Sequence, residues 1–389
     1  MKEVLSLTGN DAVAYAFKHA KPDVVVAFPI TPQTELMHKF AEFVADGEVD
    51  TELVLVESEH SAMSAAVGAA AAGARVATAT SSQGFALMWE IVYIAASLRL
   101  PIVMAVINRA LSGPINIHCD HSDAMGGRDS GWIQLFSENS QQAYDNAIQA
   151  FKIASNPDVF LPVMINLDGF ILSHTAEPVE LLDEKTAQEF IGPHQSPYSL
   201  FDFKNPITVG PLDLPDYYFE HKRAEIEAMS RAPKIIEEVG KAYGKLTGRE
   251  YGFFEKYMMD DAELVFVALG STSGTVKFAI DRMRERGLKV GLLSIRMFRP
   301  FPYSKIRECL KNCPMIAVLD RSVSFGAECG PLCLEIKSAL YGVENPPKIG
   351  NLIYGLGGRD ITYFQIEELS ERLLKERSIE PFGYIGLRE

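Results

Sequence analysis

The chain reads as an α/β protein built on doubly wound parallel sheets, and three observations carry that reading. Short apolar runs of strand length recur along the first part of the sequence. Helical stretches separate them, and the same alternation restarts near Asp260 after a stretch of different composition.

The runs are residues 24–28, 53–56, 75–80, 102–107 and 159–167. Each is bounded by turn or polar residues, as expected of strands buried on both faces. Helical patterns fill the gaps at 9–18, 33–46, 58–72, 85–98 and 140–155. Strands alternating with helices favour parallel pairing through crossovers. From His174 to Tyr218 the pattern dissolves into a stretch rich in Pro, Asp and aromatics. It is too long for an ordinary loop, and its aromatics argue against disorder, so it reads as an extended arm over about 174–220. A polar helix follows at 222–247. The second unit has strands at 263–269, 289–295, 315–319 and 348–354, with a helix running to Arg286. The expected division is 1–235, arm included, and 258–389.

The 389 residues suit two or three domains, and 47% hydrophobic with 23% charged residues suits ordinary globular cores. A net charge of −14 argues against non-specific nucleic-acid binding and suits a partner with basic patches. The N-terminus has polar residues where a secretory signal needs an apolar core. The most apolar run, 65–74, is broken by Gly68 and Gly73, so neither a signal nor a membrane span is expected and the chain reads as cytoplasmic. Five cysteines (119, 309, 313, 329 and 333) form no CxxCxxC run, so no iron–sulfur cluster is expected on this chain. The pairs 309/313 and 329/333 have helical spacing that could hold a metal, but small buried thiols are commoner.

Ligands of parallel α/β sheets sit at the carboxyl ends of strands, so the residues following each run matter most. After 24–28 comes Pro29-Ile30-Thr31-Pro32-Gln33-Thr34. Pro32 fits a first helical turn with Thr31 as N-cap, which leaves free N–H groups facing an anion, although by spacing alone a plain capped turn is the better fit. After 53–56, Glu59 enters a helix of small apolar residues. Partial burial there would raise its pKa and suit proton donation to a ring nitrogen. The alternative is a helix-dipole carboxylate, a role open to Glu57 as well, and His60 reads as structural. After 75–80, Ser81-Ser82-Gln83-Gly84 makes a small polar turn that lets an aromatic ring approach the backbone. After 102–107, Arg109 suits bidentate binding of a carboxylate, or else a surface salt bridge. Four polar motifs after four buried strands carry more weight than any one alone.

The loop 112–132 is rich in Gly, His and Asp. Asp120, His121 and Asp123 look like metal ligands by composition, but their spacing matches no standard motif. A polar active-site or interface loop is favoured and no metal is assigned. The turn Gly270-Ser271-Thr272-Ser273-Gly274-Thr275 could hold phosphate or be a packing turn. It is neither GxGxxG nor GxxxxGK[ST].

Longer blocks go further. FPITPQT (28–34), VESEHSAMSAAVGAAAAGARVATATSSQG (56–84), INRALSGP (107–114), DHSDAMGGRDSGWIQLFSENSQQAYDN (120–146), LDGFILSH (167–174), RMFRPFP (296–302), LDRSVSFGAECGPL (319–332) and GLGGRD (355–360) run through nearly the whole chain. Together they resemble the alpha subunits of pyruvate:ferredoxin oxidoreductases (pyruvate synthases), within the 2-oxoacid:ferredoxin oxidoreductase family. The resemblance implies a pyrimidine-type thiamine diphosphate-binding domain followed by a transketolase C-terminal-like α/β domain. Glu59 matches the carboxylate that contacts N1′ of the cofactor's aminopyrimidine. Thr31 and Arg109 match the residues that hold the substrate carboxylate, with Pro29, Ile30, Ser82 and Gln83 beside the cofactor.

The implied reaction is the reversible, CoA-dependent oxidative decarboxylation of pyruvate, with electrons passed to ferredoxin. The sequence has no GDG-type motif for a diphosphate and Mg²⁺. In the four-subunit enzymes Mg²⁺ and [4Fe–4S] clusters lie on partners, so beta, gamma and delta subunits are implied, as a dimer of heterotetramers. This chain alone is expected to be inactive, and its length excludes the single-chain form. Rival substrates are 2-oxoglutarate, branched 2-oxoacids and oxalate. The small hydroxyl of Thr31 fits a pyruvate site, whereas oxalate would need further positive charge. FPITPQT and DGFILSH argue against a transketolase or dehydrogenase component. A non-catalytic assembly subunit is the remaining alternative.

Overall fold

The structure, a computed structural model, describes residues 3–388. The first part contains strands β1 (Glu3–Leu7), β2 (Val24–Ala27), β3 (Glu52–Leu55), β4 (Val76–Thr80), β5 (Val103–Asn108), β6 (Ile133–Phe136), β7 (Val163–Asp168) and β8 (Glu177–Leu181). Its helices are α1 (Gly9–Ala20), α2 (Thr34–Ala45), α3 (Glu59–Ala71), α4 (Ser82–Leu87), α5 (Trp89–Ser97), α6 (Ser122–Gly126), α7 (Ser140–Ala154) and α8 (Glu184–Ile191). A long helix α9 (Tyr218–Thr247) leads to the second part. There the strands are β9 (Phe254–Tyr257), β10 (Leu264–Leu269), β11 (Val290–Ile295), β12 (Met297–Arg299), β13 (Met315–Asp320), β14 (Lys348–Ile353) and β15 (Phe382–Tyr384). The helices α10 (Thr272–Glu285), α11 (Tyr303–Leu310), α12 (Pro331–Leu340) and α13 (Tyr363–Glu376) cover that sheet.

The main sheet has the order β12-β6-β7-β5-β4-β2-β3, parallel except at β12. Alternate residues of its strands enter two cores, because successive side chains point to opposite faces. Val25, Ala77, Ala105 and Ile165 pack with α1 and α7, while Val26, Val76, Met104 and Met164 pack with α3 and α5. The second sheet, β15-β14-β13-β10-β11-β9, is parallel except at its β9 edge.

Three elements depart from the sequence reading. The helical pattern at 85–98 is two helices, α4 and α5, meeting at Met88, and the polar turn before it is the first turn of α4. The supposed arm at 174–220 is regular at its start. There β8 pairs antiparallel with β1, and α8 caps itself with Asp183 and packs Ala187 and Ile191 into the core. The irregular run is 192–217, tied down where Leu200 N–H and Ser199 Oγ donate to the Ala71 and Ala72 carbonyls at 3.1 and 2.5 Å. Third, β12 leaves the second part and adds an edge to the first sheet through Met297 and Leu135. A three-residue strand carries no alternation long enough to read.

The two sheets also meet at Asp168, the last residue of β7. Its fully buried carboxylate receives His121 Nε2 at 2.8 Å, Arg321 Nη1 at 3.1 Å, and the backbone N–H and hydroxyl of Ser271 at 3.1 and 2.5 Å. Gly270, at φ +66°, leaves room for it, since a Cβ there would stand 2.8 Å from Asp168 Oδ1. The start of α10, which in sequence could have held phosphate, is filled by the chain's own carboxylate. Burial pushes Asp168 upward, but the charges of His121 and Arg321 and the hydrogen bonds outweigh it and hold the group well below the usual carboxylate range.

Removing Asp168 strands the buried Arg321 guanidinium and leaves His121 Nε2 without its partner, so Asp168→Ala lowers the unfolding free energy of the purified chain by about 3–5 kcal/mol in urea titrations. Because the folded-state pKa is depressed, this stabilisation is complete above pH ~4 and fades as pH falls below that value. The difference between wild type and variant therefore shrinks in acid; a pH-independent difference would refute the ionic account.

Candidate functional site at the carboxyl edge of the first sheet

β5, β4, β2 and β3 are neighbours in the main sheet, and the segments after their carboxyl ends carry the candidate residues side by side. Ser58 caps α3 by accepting the Ser61 N–H at 3.2 Å. This places Glu59 in the first turn, where it is 6% exposed. Its carboxylate has no hydrogen bond or ion pair to any described residue. Beside it lie Gly84 and Thr80: a Cβ on Gly84 would come within 2.6 Å of both Glu59 Oε1 and Thr80 Oγ1. The Thr80 hydroxyl is buried and also lacks a partner. Glu57, by contrast, is exposed and accepts the Ser61 hydroxyl at 2.5 Å, which lowers its pKa. His60 lies 3.6 Å from Glu90 at the surface. Of the two acids, only Glu59 is buried, beside Gly84.

The turn after β2 is built differently from the sequence expectation. Helix α2 begins at Thr34, so Thr31 is not its N-cap and Pro32 is not in its first turn. Proline disfavours the helical conformation in the residue before it, and a separate turn forms instead. Gln33 N–H closes on the Ile30 carbonyl at 2.8 Å, and the Gln33 side chain accepts Ile30 N–H at 3.2 Å. Asn10, from α1, donates to the Pro32 carbonyl at 2.9 Å. Pro29 and Thr31 are thereby exposed and Ile30 half-buried.

Arg109, directly after β5, joins this turn to the next loop. Its Nη1 donates to the Thr31 carbonyl at 2.9 Å and its Nε to the Asn116 carbonyl at 3.1 Å. Nη2 has no partner among the described residues. The side chain is buried rather than in a surface salt bridge, and that burial draws its pKa down while Asp123 opposes the shift. Thr31 and Arg109, paired in the sequence reading, are thus in direct contact.

The residues read as metal-like by composition separate in space. Asp120 accepts from Ser122, His121 is engaged with Asp168, and Asp123 turns inward. Cys119, His121 and Asp168 bring donor atoms within 4.8 Å of one another, but Arg321 already neutralises Asp168. Asp123 accepts four N–H groups: Ser82 and Arg109 backbone on Oδ2 at 3.0 and 2.9 Å, and Asn108 Nδ2 and Ala124 backbone on Oδ1 at 3.0 and 2.7 Å. Ser82 holds a left-handed φ of +46° there, with its hydroxyl 2.5 Å from the Ala110 carbonyl and 2.7 Å from Gln83 Oε1. Burial pushes Asp123 up to about 6, against the lowering by its N–H donors. The structural parts of Asp123 and Asp168 escaped the sequence reading, although each sits in a block that it singled out.

These residues fit a planar heteroaromatic group that bears a ring N–H. Glu59 presents an unpaired acceptor, Gly84 leaves the wall bare, and Thr80 offers a spare hydroxyl. An aminopyrimidine protonated at a ring nitrogen would meet all three conditions.

Residues 15–241 match the family model described as pyruvate flavodoxin/ferredoxin oxidoreductase, thiamine diphosphate-binding. Residues 262–366 match that of pyruvate:ferredoxin oxidoreductase core domain II. The pyruvate synthase subunit PorA of Thermotoga maritima is 58% identical over 388 residues, covering 100% of this chain and 99% of that one. The ketoisovalerate oxidoreductase subunit VorA of Pyrococcus abyssi is 46% identical, over 96% of this chain and 94% of its own. A solved 2-oxoglutarate:ferredoxin oxidoreductase from Magnetococcus marinus, with 2-oxoglutarate, coenzyme A and succinyl-CoA bound, superposes at a TM-score of 0.73 and 21% identity. That likeness is one of fold; it covers 95% of this chain, which spans 65% of that structure.

Two substitutions test the geometry without any ligand. Gly84→Ala forces Glu59 and Thr80 aside and destabilises the purified chain by about 1–3 kcal/mol. Thr80→Val removes a buried hydroxyl that has no partner, and leaves stability unchanged or raises it by about 1 kcal/mol. Urea unfolding reads both, and a large loss with Thr80→Val would mean that the hydroxyl is satisfied after all.

Proposed function

The chain belongs to the pyruvate flavodoxin/ferredoxin oxidoreductase family, and from that membership we propose that it is the alpha-type subunit of a multi-subunit pyruvate:ferredoxin oxidoreductase. It supplies the pyrimidine side of a shared thiamine diphosphate site. One observation carries the site assignment: Glu59 is a buried carboxylate with no partner among the described residues, set against a bare glycine wall. A buried acid left unpaired is costly to the fold, and a ring N–H of the cofactor is the partner that offsets the cost.

On this reading Glu59 holds the proton shared with the pyrimidine ring. Ser82 and Gln83 border the ring on the β4 side, and Pro29 and Ile30 border it on the β2 side. Arg109 offers its free Nη2 edge to the substrate carboxylate, with the Thr31 hydroxyl beside it. Thiamine diphosphate, when bound, supplies a nucleophilic carbon and an electron sink for loss of CO₂. The net reaction converts pyruvate and CoA to acetyl-CoA, CO₂, a proton and two electrons, and ferredoxin takes the electrons. The diphosphate, its Mg²⁺ and the [4Fe–4S] clusters belong to beta and delta partners, with a gamma chain completing a heterotetramer that pairs into a dimer. Residues 1–235 and 258–389 are the two functional units. Among the described residues no helix is long and apolar enough to cross a membrane, and the complex is assigned to the cytoplasm.

A second reading, a branched 2-oxoacid enzyme, is favoured by the full-length similarity to the ketoisovalerate subunit. The higher identity to a pyruvate synthase subunit supports pyruvate. CoA-dependent viologen reduction by the purified native complex, assayed with a panel of 2-oxoacids, separates them. Turnover of 2-oxoisovalerate without pyruvate turnover would replace the first reading by the second. In the assembled complex Glu59→Gln lowers kcat by roughly 10²- to 10⁴-fold; full activity would remove Glu59 from this role. Arg109→Ala raises the pyruvate KM by roughly 10- to 100-fold, the scale of hydrogen bonds to a charged group. A loss of thiamine affinity at unchanged KM would place Arg109 at the cofactor instead.

A further inference from the structure

We propose that Asp123 is a positioning residue for 2-oxoacid binding: its carboxylate sets the backbone from which Arg109 reaches the substrate, and ties it to the cofactor turn at Ser82. This rests on the assignment of Arg109 to the substrate carboxylate. Arg109 and Ser82 follow two different strands, β5 and β4, and both donate their backbone N–H to one oxygen, Oδ2, at 2.9 and 3.0 Å. The other oxygen is held by Asn108 Nδ2 and Ala124 N–H at 3.0 and 2.7 Å. The carboxylate therefore cannot rotate without breaking bonds on both sides. Through Oδ2 it fixes the separation of the guanidinium's anchor from the turn that carries Ser82 and Gln83.

The backbone at Ser82 makes this anchor necessary. A φ of +46° is unfavourable for serine. The N–H bond to Asp123 and the hydroxyl bond to the Ala110 carbonyl hold that conformation. Ala110 adjoins Arg109, so the hydroxyl bond to Ala110 ends directly on the short segment after β5, and the N–H bond reaches that segment through Asp123. A fold needing only a buried link between two strands could use any acceptor there. Two N–H groups from the two ligand-facing motifs meeting on one oxygen point to alignment of those motifs.

An asparagine in place of Asp123 keeps the shape but presents an amide NH₂ to one of the two donor pairs. In the assembled complex Asp123→Asn raises the pyruvate KM by roughly tenfold, the scale of one hydrogen bond to a charged group, with a smaller change in kcat. Combined with Arg109→Ala it adds no further rise in KM, since residues acting through one another are not additive. Unchanged KM in Asp123→Asn, or effects that multiply in the double variant, would overturn the proposal. If Arg109→Ala raises KM and Asp123→Asn does not, the positioning role alone fails; if Arg109→Ala itself leaves KM unchanged, the underlying assignment fails with it. Should the asparagine variant not assemble, Asp123→Ser assayed with and without formate decides the matter. A KM lowered by formate supports the role, and a KM indifferent to it refutes it.

Discussion

A carboxylate taken out of water must find donors, and that constraint organises this molecule. Asp168 finds His121, Arg321 and Ser271, and in doing so joins the two sheets. Asp123 finds four N–H groups and joins the ends of two strands. Both are fully buried and fully engaged. Glu59 lies along the same edge, is almost as buried, and has no donor among the described residues. Among the described residues the chain satisfies its other buried acids from within, and the open one is the basis for the ligand site proposed at Glu59. Arg109 repeats the pattern with opposite sign: two of its nitrogens are tied to carbonyls and the third has no partner among the described residues.

Much of this was legible in the sequence, and for a physical reason. Strands buried on both faces read as unbroken apolar runs, so β2, β4, β5, β10, β11 and β13 could be found within a few residues. The position of ligand sites at carboxyl strand ends then led to Thr31, Glu59, Ser82 and Arg109 without knowledge of their contacts. The failures share a cause too. β1, β8 and β12 take their stability from a distant partner strand rather than from local pattern. The break between α4 and α5 at Met88 lies in an apolar run that gives no local stop signal. Thr31 looked like an N-cap because threonine before proline often is one. The side chain of Gln33, three residues from the N–H it serves, decided the turn instead.

The loop 112–132 shows the limit of composition as a guide. Its acids and histidine suggested metal ligands, yet each one points to a different neighbour. What composition could not convey is that Asp120 turns to its own loop, His121 to Asp168 at the end of β7, and Asp123 to the ends of β4 and β5. A loop that must connect three parts of the structure needs polar residues for reasons unrelated to a metal. The same holds at Gly270-Ser271, where a helix start suited to an anion receives Asp168 from within the chain.

The proposed role as one subunit of several accounts for what remains exposed. Leu55 ends β3, Leu87 ends α4 and Trp89 opens α5, yet they are 73%, 51% and 40% exposed. Large apolar side chains beside a site are poorly placed in a free protein and well placed against a mating surface. A partner seated there would also exclude water from the Glu59 side, strengthening the hydrogen bond that this carboxylate can make. The fold thus leaves two demands unmet at one edge, an acid without a donor and an apolar rim without cover. A cofactor held between two subunits answers both at once, because neither the ring nor the partner alone would close the site.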